Sequence, residues 1–140
     1  MYSSQSDIEK LIPPDTIYQL TNDGVAGGTD TDVLEESIRQ ADAEIDSYCG
    51  TFLTVPFVVV PDIIKKISVD IAIYNLYSRK VEEIPPARND RYKNAIRQLE
   101  GISKGTISIG AVQGEATKGE ILSSTDAENR VFTMNTLSTY

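Results

Sequence analysis

From Asp32 to Cys49 the chain runs without glycine or proline, and its apolar residues fall on one helical face. Leu34, Ile38, Ala41, Ile45 and Tyr48 recur at spacings of four, three, four and three. That period predicts an amphipathic helix over 32–50. Asp32 with Glu35 reads as its capping box. Gly50 reads as the residue past its end, where a positive φ carries no steric cost. The outer face carries Glu35, Glu36, Arg39, Asp42, Glu44 and Asp46.

The flanking segments follow from the same rules. Ser6-x-x-Glu9 has the form of a capping box, and Pro13-Pro14 ends the short helix it starts. Asp15 is placed to cap a second short helix with Ile17, Tyr18 and Leu20. Asn22-Asp23-Gly24 and Gly27-Gly28 mark a turn-rich loop. Residues 51–60, TFLTVPFVVV, are apolar, but Pro56 and Pro61 favour an extended buried connection or an edge segment over a central strand. Residues 62–80 are apolar on most sides, which suits the centre of a bundle. Pro85-Pro86 opens a last helix to about Lys104, with Tyr92, Ile96, Leu99 and Ile102 as its stripe and Gly105 as its stop. The expected fold is mainly α, a small bundle of about four helices over residues 1–105 with the central one buried. Beyond it, Thr106–Ile109 alternates like a strand and Glu120–Leu122 is placed to pair back as a hairpin. An extended arm completes a second region, 106–140.

Composition removes most chemistry. Histidine is absent and Cys49 is the single cysteine. Ser-His and Cys-His nucleophile pairs, cysteine metal clusters and an internal disulfide are therefore excluded. No cofactor, no metal site and no catalytic activity are expected. No run approaches a membrane helix and the start lacks signal-peptide character, so a cytosolic protein is the default expectation. The net charge of −8 is unevenly placed: −10 over residues 1–62, +4 over 63–105 and −2 over 106–140. Opposed charge suits self-association through complementary faces better than a grip on nucleic acid, although an unbiased solvated surface is an even alternative.

The ordered series of elements resembles the Mu-like phage head–tail joining proteins over roughly residues 1–137. The resemblance lies in Met1-Tyr2 before a short helix, ADAEIDSY from Ala41 to Tyr48, and Val55-Pro56…Val60-Pro61. It continues through DIAIYNLY from Asp70 to Tyr77, Arg91-Tyr92…Leu99-Glu100…Ile102…Lys104-Gly105, and Arg130-Val131-Phe132…Leu137. Thr51–Leu53 departs from the pattern, lacking the Arg-Tyr pair common there. The resemblance implies a head completion or adaptor protein of the virion neck, present in the host cytoplasm during assembly. It implies a homo-oligomeric ring, typically twelve-fold, beneath the portal protein and above tail-completion or tail proteins. DNA would pass through without sequence-specific binding, and no membrane is involved. A tail-completion or terminator subunit is the nearest alternative. An acidic DNA-mimic binding module is the alternative from another class.

Within that frame, Glu35, Glu36, Asp42, Glu44 and Asp46 are expected at a subunit interface or the channel. Arg79, Lys80, Arg88, Arg91, Lys93 and Arg97 are expected to meet the acidic face of the next subunit, ahead of DNA. Arg130, Val131, Phe132, Leu137 and Tyr140 form the candidate partner-docking arm. Four residues apart on one face, Asp42 and Asp46 read as a solvated acidic surface rather than a metal or acid–base pair. The Gly24–Gly28 loop lacks the Gly-Lys-Ser/Thr ending of a phosphate cradle. Asp70, in an apolar stretch, needs a partner, and Lys66 and Tyr74 lie four residues to either side. Cys49 reads as a small buried hydrophobe.

Overall fold

A computed structural model describes residues 1–24, 28–80 and 83–110 of the chain. They form five helices: α1 (Gln5–Glu9), α2 (Pro14–Thr21), α3 (Thr31–Cys49), α4 (Asp62–Lys80) and α5 (Pro86–Ser103). The three long helices lie where the apolar periodicity puts them. Both expected short helices form, so the count is five rather than about four. Helix α2 opens on Pro14, whose missing N–H leaves nothing unpaired at the first helical position, and Asp15 lies inside its first turn instead of capping it.

Helix α4 packs against each of the other four. Ile64, Ile67, Ile71, Ile73 and Leu76 are almost wholly enclosed by them. Each such side chain contributes about 1.5–3 kcal/mol of burial, so α4 is the main source of cohesion. Ile38, Ala41 and Ile45 of α3 and Ala95, Leu99 and Ile102 of α5 close over it. Of the expected α5 stripe, Tyr92 and Ile96 are only half-buried, and Ala95 takes the innermost place.

The helix ends correct the expected caps. Helix α1 begins after Ser4, not Ser6, because the Asp7 carboxylate accepts from both the Ser4 amide (3.1 Å) and the Ser4 hydroxyl (2.7 Å). Asp30, not Asp32, caps α3, its carboxylate accepting from the Asp32 and Val33 amides. Gly50 stays in the right-handed region at φ −62°, so a left-handed turn is not its reason. A Cβ there would lie 3.3 Å from the Val55 side chain. Gly105 does take a positive φ, +70°. Thr106 N donates to Gly101 O (2.9 Å) and Gly105 N to Ile102 O (3.0 Å), the paired bonds that close a helix C-terminus through a left-handed residue.

Two expectations change beyond α3. Residues 51–60 are not buried throughout: Leu53 and Phe57 turn inward, but Val58 and Val59 stand in solvent. Thr106–Ile109 is not a strand, because the Thr106 and Ile107 amides are both taken by Gly101 O. No strand occurs among the described residues. Glu120–Leu122, and with it the hairpin, lies outside them, as does the arm with Arg130, Val131, Phe132, Leu137 and Tyr140, and residues 25–27 of the glycine-rich loop.

Gly105→Ala should destabilise the fold by about 1–2 kcal/mol, the cost of a left-handed alanine. The Phe52 ring, 3.1 Å from a Cβ at this position, adds to that cost. Urea denaturation of the two proteins measures it, and an unchanged midpoint would contradict the assignment.

Candidate functional site

The acidic face of α3 is largely occupied by its own chain. Tyr2 N donates to Asp42 Oδ2 (2.9 Å), and Ser68 Oγ donates to Asp42 Oδ1 (2.9 Å). The Tyr2 hydroxyl donates to Asp46 and accepts from Phe57 N (3.2 Å). The Tyr2 ring sits 5.5 Å from the Phe57 ring at a tilt of 56°. Asp42 and Asp46 are therefore not a solvated pair but two ends of a clasp. Burial lifts the Asp42 carboxyl above the usual carboxylate range, against the pull of the Tyr2 amide and Ser68 hydroxyl. Burial and the Asp46 bond likewise raise the Tyr2 phenol.

Glu44 faces the other neighbour, accepting from the Tyr92 hydroxyl at 3.0 Å. Burial, then this bond, pushes the Tyr92 phenol up to about 12. The Tyr92 ring stacks on Tyr74 with centroids 4.0 Å apart. Glu35 and Glu36 remain on the surface, Glu36 beside Arg39 at 3.1 Å. Cys49 is fully enclosed, and burial, helped by the Asp46 charge, pushes its thiol up to about 11.

The basic residues divide in the same way. Asp70 is buried and receives Lys66 at 3.1 Å, as its spacing implies. Its second partner is Arg91 of α5, at 3.3 Å, rather than Tyr74. Arg79 and Lys80 both reach Asp23, whose carboxyl the Arg79 guanidinium holds below the usual range. Arg79 also donates to Leu20 O (3.2 Å) and Arg88 to Leu11 O (3.1 Å). Arg97 donates to Asn94 (3.0 Å), and Lys93 is exposed. Four of the six expected interface cations thus tie α4 and α5 to the rest of the chain.

What the charged faces leave open is an apolar groove of about 540 Å³, walled by Thr54, Pro56, Phe57, Val58, Val59, Pro61, Ile109 and Gly110. Its position follows from the clasp, since Phe57 is both Tyr2's partner and part of the groove. Read as an extended buried connection or an edge segment, residues 51–60 gave no separate place to the exposed pair Val58 and Val59. The signal was present in three consecutive valines, Val58–Val60, beside Pro56 and Pro61.

The model of the family described as Bacteriophage Mu, Gp36 matches residues 2–124. The chain belongs to this family. Among curated proteins it is similar to the Mu-like prophage FluMu protein gp36 of Haemophilus influenzae, at 27% identity over 117 residues, covering 84% of this chain and 81% of that one. Membership in the Gp36 family makes this a Mu-like phage protein. Its matched span takes in the clasp, both buried carboxylates and the groove. Among the described residues no helix is long and apolar enough to cross a membrane.

Asp7 provides a pH test of the core's charge design. It is buried, and the Ser4 hydroxyl, Lys10 (2.9 Å) and Lys65 (3.1 Å) hold its carboxyl far below the usual range. A carboxyl whose folded-state pKa is depressed stabilises the fold above its unfolded value of about 3.9 and loses that contribution as pH falls through the folded value. Asp42, shifted upward, carries the opposite sign. Asp7→Asn should therefore be clearly less stable than the parent at pH 7, with the gap narrowing below about pH 4. Equal gaps in denaturant midpoint at neutral and acid pH would contradict this.

Proposed function

We propose that the chain is a structural head–tail connector, an adaptor that forms a ring beneath the portal and extends the DNA channel towards the tail. The ring is taken as twelve-fold, with portal protein on one side and tail or tail-completion proteins on the other, in the neck of the virion. The role is mechanical, and no catalysis is assigned to it.

The observation that carries the reading is membership in a Mu-like phage family by a subunit that bears an exposed apolar groove. An exposed apolar groove gains free energy only when another surface covers it. The charges support passage of DNA rather than its capture. A net charge of −8, with most of the α4 and α5 cations engaged by Asp23, Asp70 and backbone carbonyls, offers few phosphate contacts. Of the five α3 acids expected at an interface or channel, Glu35 and Glu36 stand on the surface to face a channel or a neighbour, with Lys93 and Arg97 as their counterparts on α5. The residues of the arm, Arg130 to Tyr140, are assigned to docking on a partner.

A tail-completion subunit one level down would share these features and differ in position. A DNA mimic is less favoured for a specific reason. It needs carboxylates arrayed on one open face, whereas Asp42, Glu44 and Asp46 are committed to Tyr2, Ser68 and Tyr92.

Particles carrying an epitope-tagged copy, imaged by electron microscopy, test the assignment. The tag should decorate the neck between portal and tail, and deletion should yield full heads and separate tails that do not join. Decoration of the tail tip or capsid shell, or absence from the particle, would overturn it.

A further inference from the structure

The α3–α4 loop bears the least explained surface of the subunit. Val58 is 100% exposed and Val59 82% exposed. Loop tips are usually built from glycine, asparagine, aspartate and serine, which suit both the turn and the water around it. Two valines in that place, beside a groove of about 540 Å³, mark a surface made to be covered. No described residue of the same chain covers them.

Gly110 lines the groove, and thirty residues follow it in the sequence. The remaining chain thus departs from the groove's own edge. Its first ten residues, 111–120, contain Gly114 and Gly119 and a single branched apolar side chain, Val112. Ile121 and Leu122 follow, and a longer group of apolar anchors comes further on, at Val131, Phe132, Met134 and Leu137. The twenty residues from 111 to 130 can span at most about 70 Å. A folded body of this size has a radius of gyration of about 13 Å. Chain length therefore permits the anchors to reach an adjacent subunit.

We propose that the groove beside Val58 and Val59 receives the Val131–Leu137 stretch of a second copy of this chain. The proposal rests on the connector reading for its setting and supplies the contact that reading lacks. Groove and anchors are different patches of one chain, so each copy gives one and receives one. Such a head-to-tail contact closes into a ring when the rotation between copies permits. The carboxylates and cations set in the helical body then hold each subunit together rather than joining it to the next. The aromatic Phe132 is the natural central anchor, with Val131 and Leu137 flanking it.

The test uses two full-length variants. Val58→Asp with Val59→Asp spoils the groove at positions already in solvent, and Phe132→Asp with Leu137→Asp spoils the anchors. Sedimentation of the parent should show concentration-dependent self-association, weakened about tenfold or more in each variant alone. Mixed in equal amounts, the two variants should form a one-to-one heterodimer, since one keeps its groove and the other its anchors. A parent that stays monomeric up to sub-millimolar concentration, or a mixture that forms no heterodimer, would overturn the proposal. Failure here is separable from failure of the connector reading. A monomer found at the neck sinks only the groove contact, while a self-associating chain absent from the neck sinks only the assignment of position.

Discussion

The Tyr2 hydroxyl, held between a carboxylate of α3 and the Phe57 amide, ties the start of the chain to α3 and to the loop that follows it. A buried amide without a partner would cost about 1–3 kcal/mol, and the hydroxyl supplies that partner. The same residue gives its own amide to Asp42, which takes a second bond from Ser68 of α4. Ser3 adds a hydroxyl pair with Ser68 at 2.8 Å. Two residues at the start of the chain thereby fasten α3, α4 and the loop between them. The loop's inner residues are pinned, and its outer ones, Val58 and Val59, are consequently turned to solvent. Groove shape is thus an outcome of the clasp.

A second constraint comes from charge. Asp7 and Asp70 are buried carboxylates, each met by two cationic side chains from different stretches of the chain. Removing one partner from such a set leaves a charge without compensation, which is why these sites hold helices in place. Asp70 pairs Lys66 and Arg91 within the chain, as Asp23 pairs Arg79 and Lys80, so these four cations are partly neutralised by their own subunit although they stay at the surface. The most exposed large apolar residues among those described, Val58 and Val59, lie at the α3–α4 loop.

The long helices were legible because their apolar period is unbroken and their ends carry proline or glycine. Asp70 was legible for the same reason, since a lone acid in an apolar helix demands a partner and Lys66 stands one turn away. Its other partner, Arg91, lies 21 residues off in sequence and belongs to a different helix, where no local rule reaches. Asp42 and Asp46 were misjudged on the same ground, because Tyr2 is 40 and 44 residues distant. Local spacing describes a helix face but not what is laid against it. Caps shifted by two residues because Ser4 and Ser6, or Asp30 and Asp32, compete on nearly equal terms, and packing decides between them. The head–tail role itself came from an ordered set of residues resembling a family, and family membership supports the phage context.

Central to this account is that the amino-terminal clasp sets the posture of the α3–α4 loop and so of the groove. Amide hydrogen exchange along residues 50–61 measures that directly. In the parent chain Phe57 should exchange slowly while Val58 and Val59 exchange fast, and Tyr2→Phe should release Phe57 while leaving the α4 amides protected. A Phe57 amide that exchanges as fast as its exposed neighbours in the parent, or that is indifferent to the loss of the Tyr2 hydroxyl, would contradict it.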